Sequence, residues 1–273
     1  MPTVTGKGID VSSWQGNYIN WDEVKKAGYK FAIIRAGFGR ECSQKDASFE
    51  VNYAGAKKAG LLVGAYWYSY AVSPEDAKKE AEACLATLSG KTFDLPIFYD
   101  IEEASILSKS SKDVTAIAKN FCEAIEKGGY RAGIYGGFDL FRKIDDSVED
   151  KYPRWFAQWY SECQYEKPVA IWQYTESLTV PGISGNVDGN VSYIDFKTPS
   201  KPATLVIPSP DVKKYSIIEL AFRTMNGEYS SGDTRKALLG SKYQQVQDCV
   251  NILAADAGMF LVAKKLNERG FLK

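Results

Sequence analysis

The sequence predicts an α/β fold, an irregular TIM-like β/α barrel followed by a small all-α helical module, and three observations carry that prediction. Short apolar runs alternate with helix-patterned segments up to about residue 197. The runs number about eight, which favours a closed barrel over an open doubly wound sheet. A polar, proline-rich stretch then gives way to segments with helical periodicity and no strand signal. At 273 residues, 45% hydrophobic and 25% charged, the chain is ordinary globular material with room for a large core and a smaller one.

The strand candidates are Gly8–Val11, Phe31–Ala36, Leu61–Tyr68, Leu95–Ile101, Arg131–Tyr135, Arg154–Trp159 and Ala170–Tyr174, with a short last one at Asn186–Asp188. Asn20 is placed to cap a helix over Trp21–Ala27, stopped by Gly28. Ser73-Pro74-Glu75-Asp76 supplies a cap, a first-turn proline and first-turn acids to a helix that ends near Gly90. Ser111 opens Lys112–Lys127, which closes on Gly128-Gly129. The repeated strand-then-helix order argues for parallel strands covered by helices. The later connections are too short for full helices, hence an irregular barrel. Lys197-Thr198-Pro199-Ser200-Lys201-Pro202 and Pro208-Ser209-Pro210 read as a semi-rigid linker. Beyond it Val212–Met225, Asp233–Leu239 and Tyr243 onward read as helices. The predicted division is 1–197 for the barrel, 198–211 for the linker and 212–273 for the helical module.

Composition removes several chemistries. Lys plus Arg and Asp plus Glu both total 34, so no net charge points to nucleic acid or an anionic membrane. The chain contains no histidine, which rules out Ser-His-Asp and Cys-His nucleophile systems and His-ligated metals; Asp, Glu, Tyr and Lys must carry any acid–base step. The five cysteines are scattered and form no CxxC pair, against a zinc ribbon or a disulfide framework. No metal or cofactor is called for. The start, Met1 to Gly8, lacks the apolar core of a signal peptide, and no apolar run reaches membrane-spanning length. The expectation is synthesis in a cytoplasm without membrane insertion.

The most informative stretch is Pro96-Ile97-Phe98-Tyr99-Asp100-Ile101-Glu102, an apolar run ending in two carboxylates two positions apart. On a strand Asp100 and Glu102 face the same way, where like charge pushes their proton affinities apart, as acid–base work requires. The bland alternative is that they open a polar loop. In a barrel, active residues gather where strands end at the C-terminal face. Asp10 stands at the end of the first strand and Asp188 at the end of the last, so closure brings four acids from distant sequence to one mouth.

Several segments in order resemble the glycoside hydrolase family 25 lysozymes, the muramidases of phage endolysins and bacterial autolysins. They are Gly8-Ile9-Asp10-Val11-Ser12-Ser13-Trp14-Gln15-Gly16, Phe31–Gly37, Gly64-Ala65-Tyr66, Asp100-Ile101-Glu102, Ile171-Trp172-Gln173-Tyr174 and Val180–Asp188. The resemblance implies an irregular β/α barrel that hydrolyses the β-1,4 bond between N-acetylmuramic acid and N-acetylglucosamine in bacterial peptidoglycan, with no cofactor. It matches Glu102 to the family's general acid, Asp100 to the acid beside it, and Asp10 and Asp188 to two further pocket acids. Many members carry histidine after the tyrosine matched by Tyr66; here that place is Trp67. Same-face strand positions lie about 6.6 Å apart, between the retaining and inverting separations, so spacing leaves the stereochemistry open. Net retention assisted by the substrate's acetamido group, with Asp100 stabilising that group, is the favoured expectation. Tyr66, Trp159, Trp172 and Gln173 are candidates for the sugar cleft, Arg35 for substrate or for pairing with the acids, and Trp14 and Trp21 for packing.

The segment Asn226–Lys236 with Leu239, Tyr243, Val246-Gln247 and Val250-Asn251 resembles the CW-seven cell-wall-binding repeat of phage lysins. That implies a module gripping wall fragments, with Tyr229, Arg235 and Gln247 as contacts. Beyond it Met259, Phe260, Leu261 and Leu266 recur at near-helical spacing, and the readings are packing on the module, an oligomer contact, or a final core helix. The competing readings are a non-catalytic wall-carbohydrate binder on the same barrel, a glycosidase for another N-acetyl-sugar polymer such as chitin, and a carboxylate-bridged metal hydrolase. An enzyme made without a signal peptide would reach the wall after release.

Overall fold

The computed structural model describes residues 3–196, 212, 214–225, 235–236 and 239–254. The chain divides into two units, Met1–Leu205 and Val206–Lys273. The first is a closed barrel of eight strands in sequence order: β1 (Gly6–Val11), β2 (Phe31–Phe38), β3 (Leu62–Tyr68), β4 (Ile97–Asp100), β5 (Ala132–Gly136), β6 (Arg154–Ala157), β7 (Ile171–Thr179) and β8 (Asn186–Ser192). Each predicted strand is present. β1 to β7 run parallel, but β8 is antiparallel to both of its neighbours, which corrects the expectation of a uniformly parallel sheet. The reason is local: Pro181-Gly182 to Gly185 make a short connection with Gly182 and Gly185 at positive φ, and a short connection reverses a strand whereas a parallel one needs a long crossover.

The helices are α1 (Trp21–Lys26), α2 (Phe49–Lys58), α3 (Pro74–Leu88), α4 (Ala104–Leu107), α5 (Ser111–Lys127), α6 (Phe138–Phe141) and α7 (Asp146–Glu149). Asn20 and Ser73 cap α1 and α3 as expected, accepting from the Glu23 and Asp76 amides. The cap of α5 is Ser110, one residue before the predicted start, because its hydroxyl reaches the Asp113 amide. No helix lies between β6 and β7 or between β7 and β8.

Two apolar layers follow from strand alternation. Phe31, Ile33, Leu95, Phe98, Tyr135, Trp155 and Ile171 pack together within the barrel. Their neighbours along the strands, such as Ile34, Ala65, Tyr99 and Ile134, pack outward with α3 and α5 residues such as Cys84, Ile117 and Phe121. The interior fills because glycines stand where rings cross: a Cβ on Gly8 would lie 2.2 Å from the Phe31 ring, and one on Gly133 2.5 Å from Phe98. Outside, Tyr99 stacks on Phe121 at 3.8 Å, and its hydroxyl donates to the buried Glu80 carboxylate at 2.6 Å.

The second unit contains α8 (Ile217–Met225), a 3₁₀ turn at Gly240–Lys242 and α9 (Tyr243–Ala254) around Leu220, Ala221, Leu239, Val246 and Cys249. α8 starts at Ile217 and not at Val212, because Ser216 and Glu219 bond each other's amides in a capping box. The predicted linker 198–211, Tyr229 and Met259 to Leu266 lie outside the described residues.

Candidate active site

At the C-terminal ends of the parallel strands lies an open cavity of about 320 Å³. Alternation fixes what lines it. Asp10 sits two residues beyond the interior Gly8 on β1, Tyr66 and Tyr68 follow Gly64 on β3, Asp100 follows Phe98 on β4, and Tyr135 follows Gly133 on β5. All four predicted acids line this cavity. Asp188 arrives by a different route from the one expected. It is the third residue of β8, not the last of its strand, and it reaches the mouth because β8 runs backwards and pairs Asp188 directly with Asp10. Glu102 also differs. β4 ends at Asp100, so Glu102 stands in the loop beyond, at the exposed rim.

Burial and like charge act on every acid. Desolvation holds Asp100 well above the ordinary carboxylate range, and Glu102 and Asp10 add to this while Arg35 opposes it. Its Oδ1 is buried with no hydrogen-bond partner. Asp10 is likewise well raised by burial and by Asp188, against bonds from Asn190 and Gln173. Asp188 is raised by desolvation. Glu102, although at the rim, is raised first by desolvation and then by the charges of Glu103 and Asp188. The like charge between Asp100 and Glu102 is expressed in the raised Asp100, while Glu102 takes its rise from desolvation, from Glu103, whose Oε1 accepts from the Tyr68 hydroxyl at 2.7 Å, and from Asp188.

Arg35 does not pair with the four acids. Its Nε donates to the buried Asp46 at 2.7 Å and its Nη2 to Ser13 at 2.9 Å, which stiffens the β1 loop at the rim. Gln173 is buried and donates to Asp10 Oδ2 at 3.0 Å. Tyr66 lines the cavity against Trp155 at 5.8 Å. Among the described residues, no three His, Cys, Asp or Glu side chains are grouped to hold a metal ion.

The model of Glycosyl hydrolases family 25 matches residues 9–183. The chain belongs to glycosyl hydrolase family 25. A CW_7 repeat matches residues 219–253. The chain is 30% identical over 183 residues to the Autolytic lysozyme of Clostridium acetobutylicum, covering 67% of this chain and 54% of that protein. It is 31% identical over 205 residues to Lysozyme M1 of Streptomyces globisporus, covering 67% and 66% respectively. It thus spans about half of the first relative and just under two thirds of the second. A family 25 glycosyl hydrolase structure from Bacillus anthracis superposes with a TM-score of 0.62 at 26% identity, over 71% of this chain and 92% of that one.

Within this family 25 barrel, two predicted cleft residues are placed elsewhere. Trp172 faces out, packed in the outer layer with its indole N–H on the Gln158 carbonyl, since it alternates with the inward Gln173. Trp159 lies beyond the end of β6, 58% exposed and outside the cavity lining, with Nε1 3.4 Å from Gln173 Oε1. Trp67 is also outward, bonded to the Gly39 carbonyl, so the departure from the family's histidine does not touch the cavity wall. Of the two tryptophans expected in core or rim packing, Trp21 is buried, and Trp14 lines the cavity at 86% exposure. Trp155, Tyr68, Tyr135 and Asn190 were not singled out by the sequence. Tyr68 and Asn190 sit two positions from Tyr66 and Asp188, and that alternation was the available signal; β5 and β6 carry no singled-out residue that would have pointed to Tyr135 and Trp155. In the second unit, Arg235 and Gln247 meet, Nη1 to Oε1 at 3.0 Å.

Proposed function

We propose that this chain is an N-acetylmuramidase that cleaves the β-1,4 bond between N-acetylmuramic acid and N-acetylglucosamine in peptidoglycan. The observation that carries the reading is the convergence of Asp10, Asp100, Glu102 and Asp188 on one cavity in a family 25 barrel. Two relatives, both lysozymes, and the CW_7 repeat point to the same polymer.

Glu102 is the general acid. At the rim, with its proton affinity raised, it gives its proton to the glycosidic oxygen as the bond to the anomeric carbon breaks. The acetamido carbonyl oxygen of the muramic acid attacks that carbon in the same step. Asp100, buried with an unpartnered oxygen, accepts the acetamido N–H and balances the positive charge that develops. Water then adds to the anomeric carbon as its bond to the acetamido oxygen breaks and the amide is restored; the water gives a proton to Glu102, and two inversions leave the configuration retained. Asp10 and Asp188 supply negative charge opposite. Tyr66 and Trp14 offer planar faces to the sugars. Arg235, Tyr229 and Gln247 grip the wall, and residues 1–197 and 212–273 are catalytic and wall-binding units. Association of two copies through the second unit would add a second grip.

Glu102→Gln tests the assignment. Turbidity clearance of purified walls should fall about 10²- to 10⁴-fold, while co-sedimentation with walls is unchanged. Near-normal lysis by the folded variant would refute Glu102 as the acid.

A further inference from the structure

Asp10 is gripped at one oxygen by two amides. Asn190, fully buried on β8, donates Nδ2–H to Asp10 Oδ2 at 2.7 Å, and Gln173, on β7, donates Nε2–H to the same oxygen at 3.0 Å. Which end of an amide faces a neighbour is set by the neighbour's chemistry. An indole N–H only donates, so it accepts nothing but the amide oxygen as its partner. Trp155 Nε1 donates to Asn190 Oδ1 at 2.7 Å and Trp159 Nε1 to Gln173 Oε1 at 3.4 Å, with the Tyr135 hydroxyl on that same Gln173 oxygen at 3.0 Å. Both amides are thereby turned with their N–H groups toward Asp10.

We propose that Asn190 and Gln173 are positioning residues, turned by Trp155 and Trp159, that commit Asp10 Oδ2 to accepting and confine any proton on Asp10 to Oδ1, shared with Asp188. Asp10 and Asp188 are direct partners across β1 and β8, and both side chains line the same cavity, which puts their carboxyls where a proton can be shared. The two acids then act as one unit holding one proton and one negative charge. The other titratable groups facing the pair are Tyr66, Tyr68, Asp100, Glu102, Tyr135 and Arg35 around the cavity, with Glu176 on β7 acting on Asp188. Burial raises Asp10 and the two amides oppose the rise, so the clamp keeps the charge available in a desolvated place. That this charge serves catalysis rests on the muramidase reading; the clamp itself does not.

The test is a carboxyl ¹³C NMR titration of the full chain, with Asp10 assigned by Asp10→Asn, read beside the pH profile of kcat on walls. Asn190→Leu removes the stronger donor at nearly constant size. The Asp10 midpoint should rise by about one pH unit, with the acidic limb of kcat following it and KM changing less than about twofold. Trp155→Phe, which keeps an aromatic core residue and removes the indole N–H, should shift the midpoint in the same direction by less, and it carries the test if Asn190→Leu does not fold. A midpoint that stays put or falls in the folded variants overturns the clamp, as would a loss of activity equal at every pH. A shifted midpoint in a protein that never cuts walls would keep the clamp and overturn the muramidase reading.

Discussion

At the residue scale, the candidate active site is a set of carboxylates kept where they are costly. Asp100 is 4% exposed, raised by burial and short of a partner for Oδ1. Its folded proton affinity exceeds the unfolded one, so its ionisation opposes folding at neutral pH and that penalty vanishes as pH falls below the ordinary Asp range. Asp100→Asn should therefore raise stability at pH 7 by on the order of 1 kcal/mol while abolishing most activity. In denaturant titrations the gain should shrink toward pH 3. Equal stability at all pH values would contradict the buried-charge account. Asp10 and Asp100 were legible in the sequence because strand period and strand ends are written there, and Glu102 because it follows Asp100 by one strand period, although it stands in the loop beyond β4. The cause of the Glu102 shift was not, since it depends on where β4 stops and on Glu103, which the pattern treats as loop. The tryptophans were read least well: residue type says an indole wants a partner, but only the register says which face finds one.

At the scale of elements, alternation placed all eight strands, and the capping side chains of Asn20 and Ser73 placed two helix starts. What it missed was direction. The pattern of β8 is compatible with either orientation, and the positive-φ glycines at 182 and 185 that permit the tight reversal look like any loop. Reversal matters because it sets Asp188 opposite Asp10 at the mouth. A second element-level feature ties α3 to β4. Glu80 on α3 accepts from the Tyr99 hydroxyl and from the Tyr70 amide at 2.8 Å, and Ser69 donates to Tyr99 at 2.8 Å. Tyr99 adjoins Asp100, whose carbonyl accepts from the Ser69 amide at 2.9 Å. Tyr99→Phe leaves the buried Glu80 short of a donor and should cost about 1–3 kcal/mol of stability. Thermal unfolding measures it; an unchanged midpoint would mean the Glu80 bond contributes nothing net.

At the scale of the whole molecule, two units divide the work: a barrel whose acids converge, and a helical unit with a CW_7 repeat. No described helix is long and apolar enough to cross a membrane. The second unit was legible in outline from its change of periodicity, while its cap at Ser216 needed the Glu219 side chain in place. Arg235 bonds Gln247 across that unit. Arg235→Ala should weaken sedimentation with walls at least several-fold yet leave hydrolysis of soluble wall fragments unchanged, which separates grip from cutting. Equal loss of both would tie the module to the chemistry. The bond that is cut decides whether the chain is a muramidase. Purified peptidoglycan digested with the full chain, reduced with borohydride and hydrolysed, should yield muramicitol, from new muramic-acid reducing ends; glucosaminitol, or no new ends, would contradict it.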